Sequence, residues 1–135
     1  PLRRAIAERL TAPRQVLIGN AAQAVHPVGA QGFNLGVRDA AALAERLLAA
    51  HRAGSDLGAA AGVEGYAQAR AGDRAATTGL SHALALATLP DFAPARWLRS
   101  LSLLAADRIV PVREHLQLGG MGFRGATPQL ARTQP

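Results

Sequence analysis

Three consecutive large aliphatics, Val16-Leu17-Ile18, stand in a chain whose other apolar positions recur at helical spacing. Closed by Gly19-Asn20, they predict a short strand buried on both faces. Before it, Leu2, Ile6 and Leu10 repeat every fourth residue, so the start reads as extended and then helical until Ala12-Pro13-Arg14 breaks it. After it, Pro27, Gly29 and Gly32 exclude regular structure throughout the next stretch. From about Leu35 a long helix is predicted, with Val37, Ala40, Ala41, Ala44, Leu47 and Leu48 as its apolar stripe, Arg38, Asp39, Glu45 and Arg46 off it, and Gly54 ending it. A second long helix is predicted from about Gly62 to Leu89, one face marked by Val63, Tyr66, Ala67, Arg70, Arg74, Thr77 and Thr78, with Gly65, Gly72 and Gly79 as bends or close contacts. Pro90, Asp91 and Pro94 separate it from a third helix over about Ala95 to Val110, which Pro111 ends or kinks. The tail after Leu118 is rich in Gly and Pro and is expected to be partly disordered.

The pattern divides the chain into a strand-loop-helix region over 1–54, a helical region over 55–118 and a tail over 119–135. The glycine-rich loop before the first long helix is its chemically suggestive feature. The first turn of a helix leaves N–H donors without intrahelical partners, and the helix dipole adds partial positive charge there. Such a mouth suits an anion, or a flat heterocycle that carries negative charge in one redox state. It is not a P-loop, because no Lys followed by Ser or Thr comes after the last glycine, and Gly29, Gly32 and Gly36 do not space as G-x-G-x-x-G.

Taken singly, these residues have ordinary uses. Asn20 suits the cap of a short helix over 21–25, His26 before Pro27 suits an extended loop, and the glycines suit turns. Taken in order, Gly19-Asn20-Ala21-Ala22-Gln23, His26-Pro27, Gln31-Gly32-Phe33-Asn34-Leu35-Gly36 and Arg38-Asp39 resemble the second flavin-contacting motif of the FAD-dependent aromatic hydroxylases. Asn20, where most of that class has Asp, together with Gln23 and His26-Pro27, is similar to the ubiquinone-biosynthesis branch, of the 2-polyprenyl-6-methoxyphenol hydroxylase type. One departure is Gly29-Ala30, where the family usually reads Ala-Gly before the Gln; Ala30 costs something if that position needs a left-handed backbone.

The resemblance implies an α/β fold: the C-terminal part of an FAD-binding doubly wound fold of the para-hydroxybenzoate hydroxylase type, mostly α-helical here with one or two short strands. It implies that Gly19 and Asn20 meet the ribityl or pyrophosphate part of FAD and that Pro27 lies against the isoalloxazine face. Gly32, Phe33 and Asn34 would offer backbone N–H groups to the pyrimidine edge. It implies a monooxygenase using NAD(P)H and O2 to hydroxylate a polyprenyl phenol, cytoplasmic or peripheral at the inner membrane, in contact with a membrane surface or a ubiquinone-biosynthesis complex. A flavin hydroxylase of a soluble aromatic and a non-catalytic helical module with a vestigial flavin motif are the alternatives. The resemblance covers only the last third or so of such an enzyme, so the piece alone is expected to bind FAD poorly and to turn over nothing. Arg124 is expected at a subunit or partner contact, and no catalytic residue is assigned.

Composition narrows the picture further. At 135 residues, with 49% hydrophobic but only 4% aromatic residues, the chain is one domain or part of one. All 15 basic residues are Arg, and the formal net charge is +6. The arginines are scattered and not interleaved with aromatics, which disfavours a nucleic-acid partner. The absence of Cys excludes disulfides, thiolate metal sites and a cysteine nucleophile. The four histidines, at 26, 51, 82 and 115, are too far apart in sequence to indicate a local metal motif. Adjacent Ser81-His82 do not face one another on a helix and are no hydrolase pair. The third helix carries Trp97, Leu98, Leu101, Leu104, Ala105 and Ile109 on one face. That face suits packing against the rest of an enzyme, or a membrane surface.

Overall fold

A computed structural model describes residues 4–27, 31–120 and 128–129. The start of the chain forms two short antiparallel pairings and not a helix. Strand β1 (Ala5–Ile6) pairs antiparallel with β4 (Gln23–Ala24), and β2 (Thr11–Ala12) pairs antiparallel with β3 (Gln15–Val16). Pro13-Arg14 turns the second pair, and Arg14 takes the left-handed backbone at φ 62°. Its guanidinium reaches Asp56 at 2.8 Å across the surface. That pair, with the Gly58 N–H, holds the Asp56 carboxyl below its usual range: Gly58 contributes most and Arg14 next.

The expected strand buried on both faces is corrected. Pairing stops at Val16, and Leu17 and Ile18 are 38% and 36% exposed. Leu17 N–H still donates to the Leu10 carbonyl, but no second layer covers the aliphatics. A 3₁₀ turn over Gly19–Ala21 follows, so Asn20 lies inside a turn and caps no helix over 21–25.

Helix α1 (Gln31–Arg52) starts earlier than Leu35. Its buried residues are Gln31, Leu35, Arg38 and Asp39, one face at helical spacing, and this overturns the expected Val37-to-Leu48 stripe. Val37, Leu47 and Leu48 are exposed. The charged face turns inward because α2 (Ala60–Thr88) brings compensating charges onto it. The end of α1 follows expectation: Gly54 has φ 63°, its N–H donates to the His51 carbonyl, and Ser55 N–H donates to the Ala50 carbonyl. This double bond pattern around a left-handed glycine is a Schellman stop.

Helix α2 buries Val63, Tyr66, Arg70, Arg74, Thr77, Thr78 and Ser81, close to the expected face. Gly65 lies against the Arg46 side chain of α1, a close contact, whereas Gly72 and Gly79 face open space. Helix α3 (Ala93–Arg108) opens with Pro94 in its first turn. Arg99 donates to the Thr88 and Pro90 carbonyls and ties α3 to the end of α2. Ile109 breaks the helix, and α4 (Val110–Gly120) continues past Pro111, an element the pattern did not predict. The apolar core is small: among the described residues the buried hydrophobic side chains are Ala22, Leu35, Val63 and Tyr66. The expected disorder after Leu118, the Arg124 contact and the Gly29-Ala30 departure fall largely or wholly outside the described residues.

Candidate functional site

The segment 19–25 runs along the first two turns of α1 in the opposite direction. Gly19 is left-handed at φ 56°, and a Cβ placed on Gly36 would lie 3.4 Å from the Gly19 Cα. Two glycines therefore let the turn and the helix meet backbone to backbone. Six residues further along the turn, Val25 Cγ2 would lie 3.3 Å from a Cβ on Gly32. The antiparallel run packs the turn holding Asn20 along the side of α1 near the mouth that holds Gly32, Phe33 and Asn34.

That side is open. Asn20 and Pro27 are exposed, Phe33 is 80% exposed, and Gly19, Gly32 and Asn34 are half-buried. The Asn20 side chain makes no hydrogen bond among the described residues. The first turn of α1 carries no acidic residue, so nothing in it offsets the positive end of the helix dipole.

Behind this open side lies a buried polar cluster. Asp39, fully buried, accepts from Arg70 Nε at 2.9 Å through Oδ1. Through Oδ2 it accepts from Gln23 Nε2 at 3.1 Å and, more weakly, from the Gly19 N–H at 3.4 Å. Arg38 faces Asp73 with two donors, Nε at 2.9 Å and Nη2 at 3.3 Å. Arg70 Nη2 also lies against Asp73, as a charge contact and not an aligned hydrogen bond. Burial works against the Arg70 charge, but its bond to Asp39 and its neighbour Asp73 outweigh it, and the guanidinium is held above its usual value. Arg74 donates from Nη2 to the Ala22 carbonyl at 3.2 Å, while its Nε has no partner among the described residues. Burial pulls Arg74 below its usual value, with Asp39 opposing. Ser81 Oγ donates to the His26 carbonyl at 3.3 Å.

Arg70 and Arg74 lie on the expected face of α2, though no task is legible for them in the sequence, whereas Asp39, off the expected stripe of α1, is fully buried. The signal was the repeat itself: arginines at i and i+4 on a face with Tyr66 and Val63 cannot be solvent-facing unless those residues are too. Among the described residues no group of His, Asp or Glu is placed to hold a metal ion.

Residues 1–76, more than half of the chain, match the family described as the FAD binding domain. The chain belongs to this FAD-binding family. It is 37% identical over 126 residues to ubiquinone hydroxylase UbiL of Rhodospirillum rubrum, covering 93% of this chain and 29% of that protein. It is 38% identical over 115 residues to ubiquinone hydroxylase UbiM of Neisseria meningitidis, covering 84% and 25%. It is 34% identical over 104 residues to the human mitochondrial ubiquinone biosynthesis monooxygenase COQ6, covering 77% and 22%. The chain thus spans less than a third of the length of these relatives. No solved structure matches it.

FAD is the cofactor of this family, and the open side fits part of it. An exposed amide at Asn20 is suited to a hydroxyl or phosphate oxygen. An acid-free helix mouth whose second residue, Gly32, has no side chain is suited to a ring that becomes negative on reduction.

Proposed function

We propose that this chain is part of an FAD-dependent monooxygenase that hydroxylates a polyprenyl phenol in ubiquinone biosynthesis, using NAD(P)H and O2. The relatives named as ubiquinone hydroxylases and the match to the FAD binding domain support the reading. The structural observation that carries it is the open, acid-free mouth of α1 beside an Asn20 that no other described side chain engages. The chain is read as the C-terminal part of a doubly wound FAD-binding fold. Residues 1–54 form the flavin-facing region, 55–118 its helical support and 119–135 a tail.

In this reading Gly19 allows the turn that presents Asn20 to the ribityl or pyrophosphate part of the cofactor. Pro27 lies against the ring face. The N–H groups of Gly32, Phe33 and Asn34 meet the pyrimidine edge. FAD supplies the redox chemistry when bound, coupling NAD(P)H oxidation to O2 activation. The chain's own contribution is orientation and a field that favours negative charge at the ring. Among the described residues no helix is long and apolar enough to cross a membrane. The exposed Trp97, Leu98 and Leu101 on α3 support a surface that packs on the remainder of the enzyme. A membrane surface or a ubiquinone-biosynthesis complex is the second reading of that face, with the enzyme otherwise cytoplasmic or peripheral at the inner membrane.

The test is the flavin absorbance retained through purification by the enzyme containing this chain, wild type against Asn20→Ala. Loss of most bound flavin in the variant is expected, and equal retention would remove Asn20 from the site. Turnover of a polyprenyl phenol against a short soluble phenol then separates the proposed substrate class from a soluble aromatic.

A further inference from the structure

We propose that the packed pair α1 and α2 sets the shape of the flavin-facing segment through two buried residues, Asp39 of α1 and Arg74 of α2, which act as positioning residues for the cofactor. The inference rests on the flavin reading of the open side. Contacts from both helices land on the segment that carries Asn20 and Pro27. Arg70 orients Asp39, which holds the Gly19 N–H and the Gln23 side chain, on either side of Asn20. Arg74 grips the Ala22 carbonyl two residues past Asn20. Ser81 grips the His26 carbonyl next to Pro27.

Arg74 is the informative member. Its guanidinium is buried, its Nε has no partner among the described residues, and no carboxylate among them forms an ion pair or hydrogen bond with it. Burying a cation on one backbone acceptor costs stability, and a residue of similar length without charge would fill the space more cheaply. What Arg74 supplies that such a residue does not is the hold on Ala22. A site built this way is held by outer residues that never touch the ligand.

The test uses the complete enzyme as apoprotein, with FAD affinity read from quenching of flavin fluorescence, the visible flavin band read for shape, and apoprotein Tm read alongside. Arg74→Met is expected to leave Tm unchanged or raised while weakening FAD about tenfold and altering the band, with partial recovery in Arg74→Lys. Asp39→Asn is expected to weaken FAD by a similar factor with a lower Tm. Val63→Ala, buried on α2 away from these contacts, should lower Tm without moving affinity. If Asp39→Asn does not fold, Arg74→Met decides alone. Unchanged affinity and band in Arg74→Met, with Asn20→Ala weakened, would overturn the positioning role and leave the flavin reading standing. Unchanged affinity in Asn20→Ala as well would overturn the flavin reading itself.

Discussion

Tyr66 shows how a single residue here trades stability for surroundings. Its ring is fully buried, and its hydroxyl has no hydrogen-bond partner among the described residues. Burial, then the nearby Asp39 charge, push the phenol up to about 12, with Arg70 and Arg74 opposing. A buried hydroxyl without a partner carries a desolvation cost, so Tyr66→Phe is expected to be neutral or to stabilise by up to about 1 kcal/mol in urea denaturation. Because the folded value lies above the unfolded one, the tyrosine's contribution is fully present below pH 10 and is lost as pH rises from 10 through about 12. Ultraviolet titration should place the phenol in that window, and a titration at pH 10 would show the ring is solvated. Gly19 makes the converse case. At φ 56° it needs a residue that tolerates the left-handed region, so Gly19→Ala should cost about 1 kcal/mol and Gly19→Asn less. Equal losses would point to crowding against Gly36 as the cause in place of backbone strain.

At the scale of elements, what was legible in the sequence depended on whether a local rule decided the outcome. The stop of α1 was legible, because a left-handed glycine is demanded by the backbone alone. Gly54→Ala should accordingly cost about 1 kcal/mol, seen as a lower Tm with unchanged FAD affinity. The face of α2 was legible for the same kind of reason, since Val63, Tyr66, Arg70 and Arg74 share one side at helical spacing. The inward face of α1 was not. Apolar periodicity ranked Leu47 and Leu48 above Arg38 and Asp39, and only the counter-charges on α2, over thirty positions away in sequence, reverse that order. The short strands failed similarly: Ala5–Ile6 pairs with Gln23–Ala24 through a register that Leu2, Ile6 and Leu10 do not reveal. Of the candidate site, the motif residues were readable from their order, but the buried residues behind them were not.

For the whole molecule, α1 and α2 are joined less by apolar packing than by charge. The buried apolar side chains are few, whereas Arg38, Asp39, Arg70 and Asp73 interlock with their side chains 7% exposed or less. Such a junction favours the register that pairs these four charges, and it is fragile to the loss of one partner. Asp73→Asn removes the carboxylate shared by Arg38 and Arg70 and is expected to cost about 3 kcal/mol in urea denaturation, the range for an uncompensated buried charge. Arg38→Met together with Asp73→Leu should cost less than the two single changes combined, since no charge is then stranded between them. Salt separates this junction from the surface. The Arg14–Asp56 pair, with both side chains more than half exposed, should contribute little and fade as ionic strength rises. The cost of Asp73→Asn should instead persist in high salt. A small, salt-sensitive loss for Asp73→Asn would mean that water reaches these charges, and that α2 is too loosely seated to hold the segment in front of it.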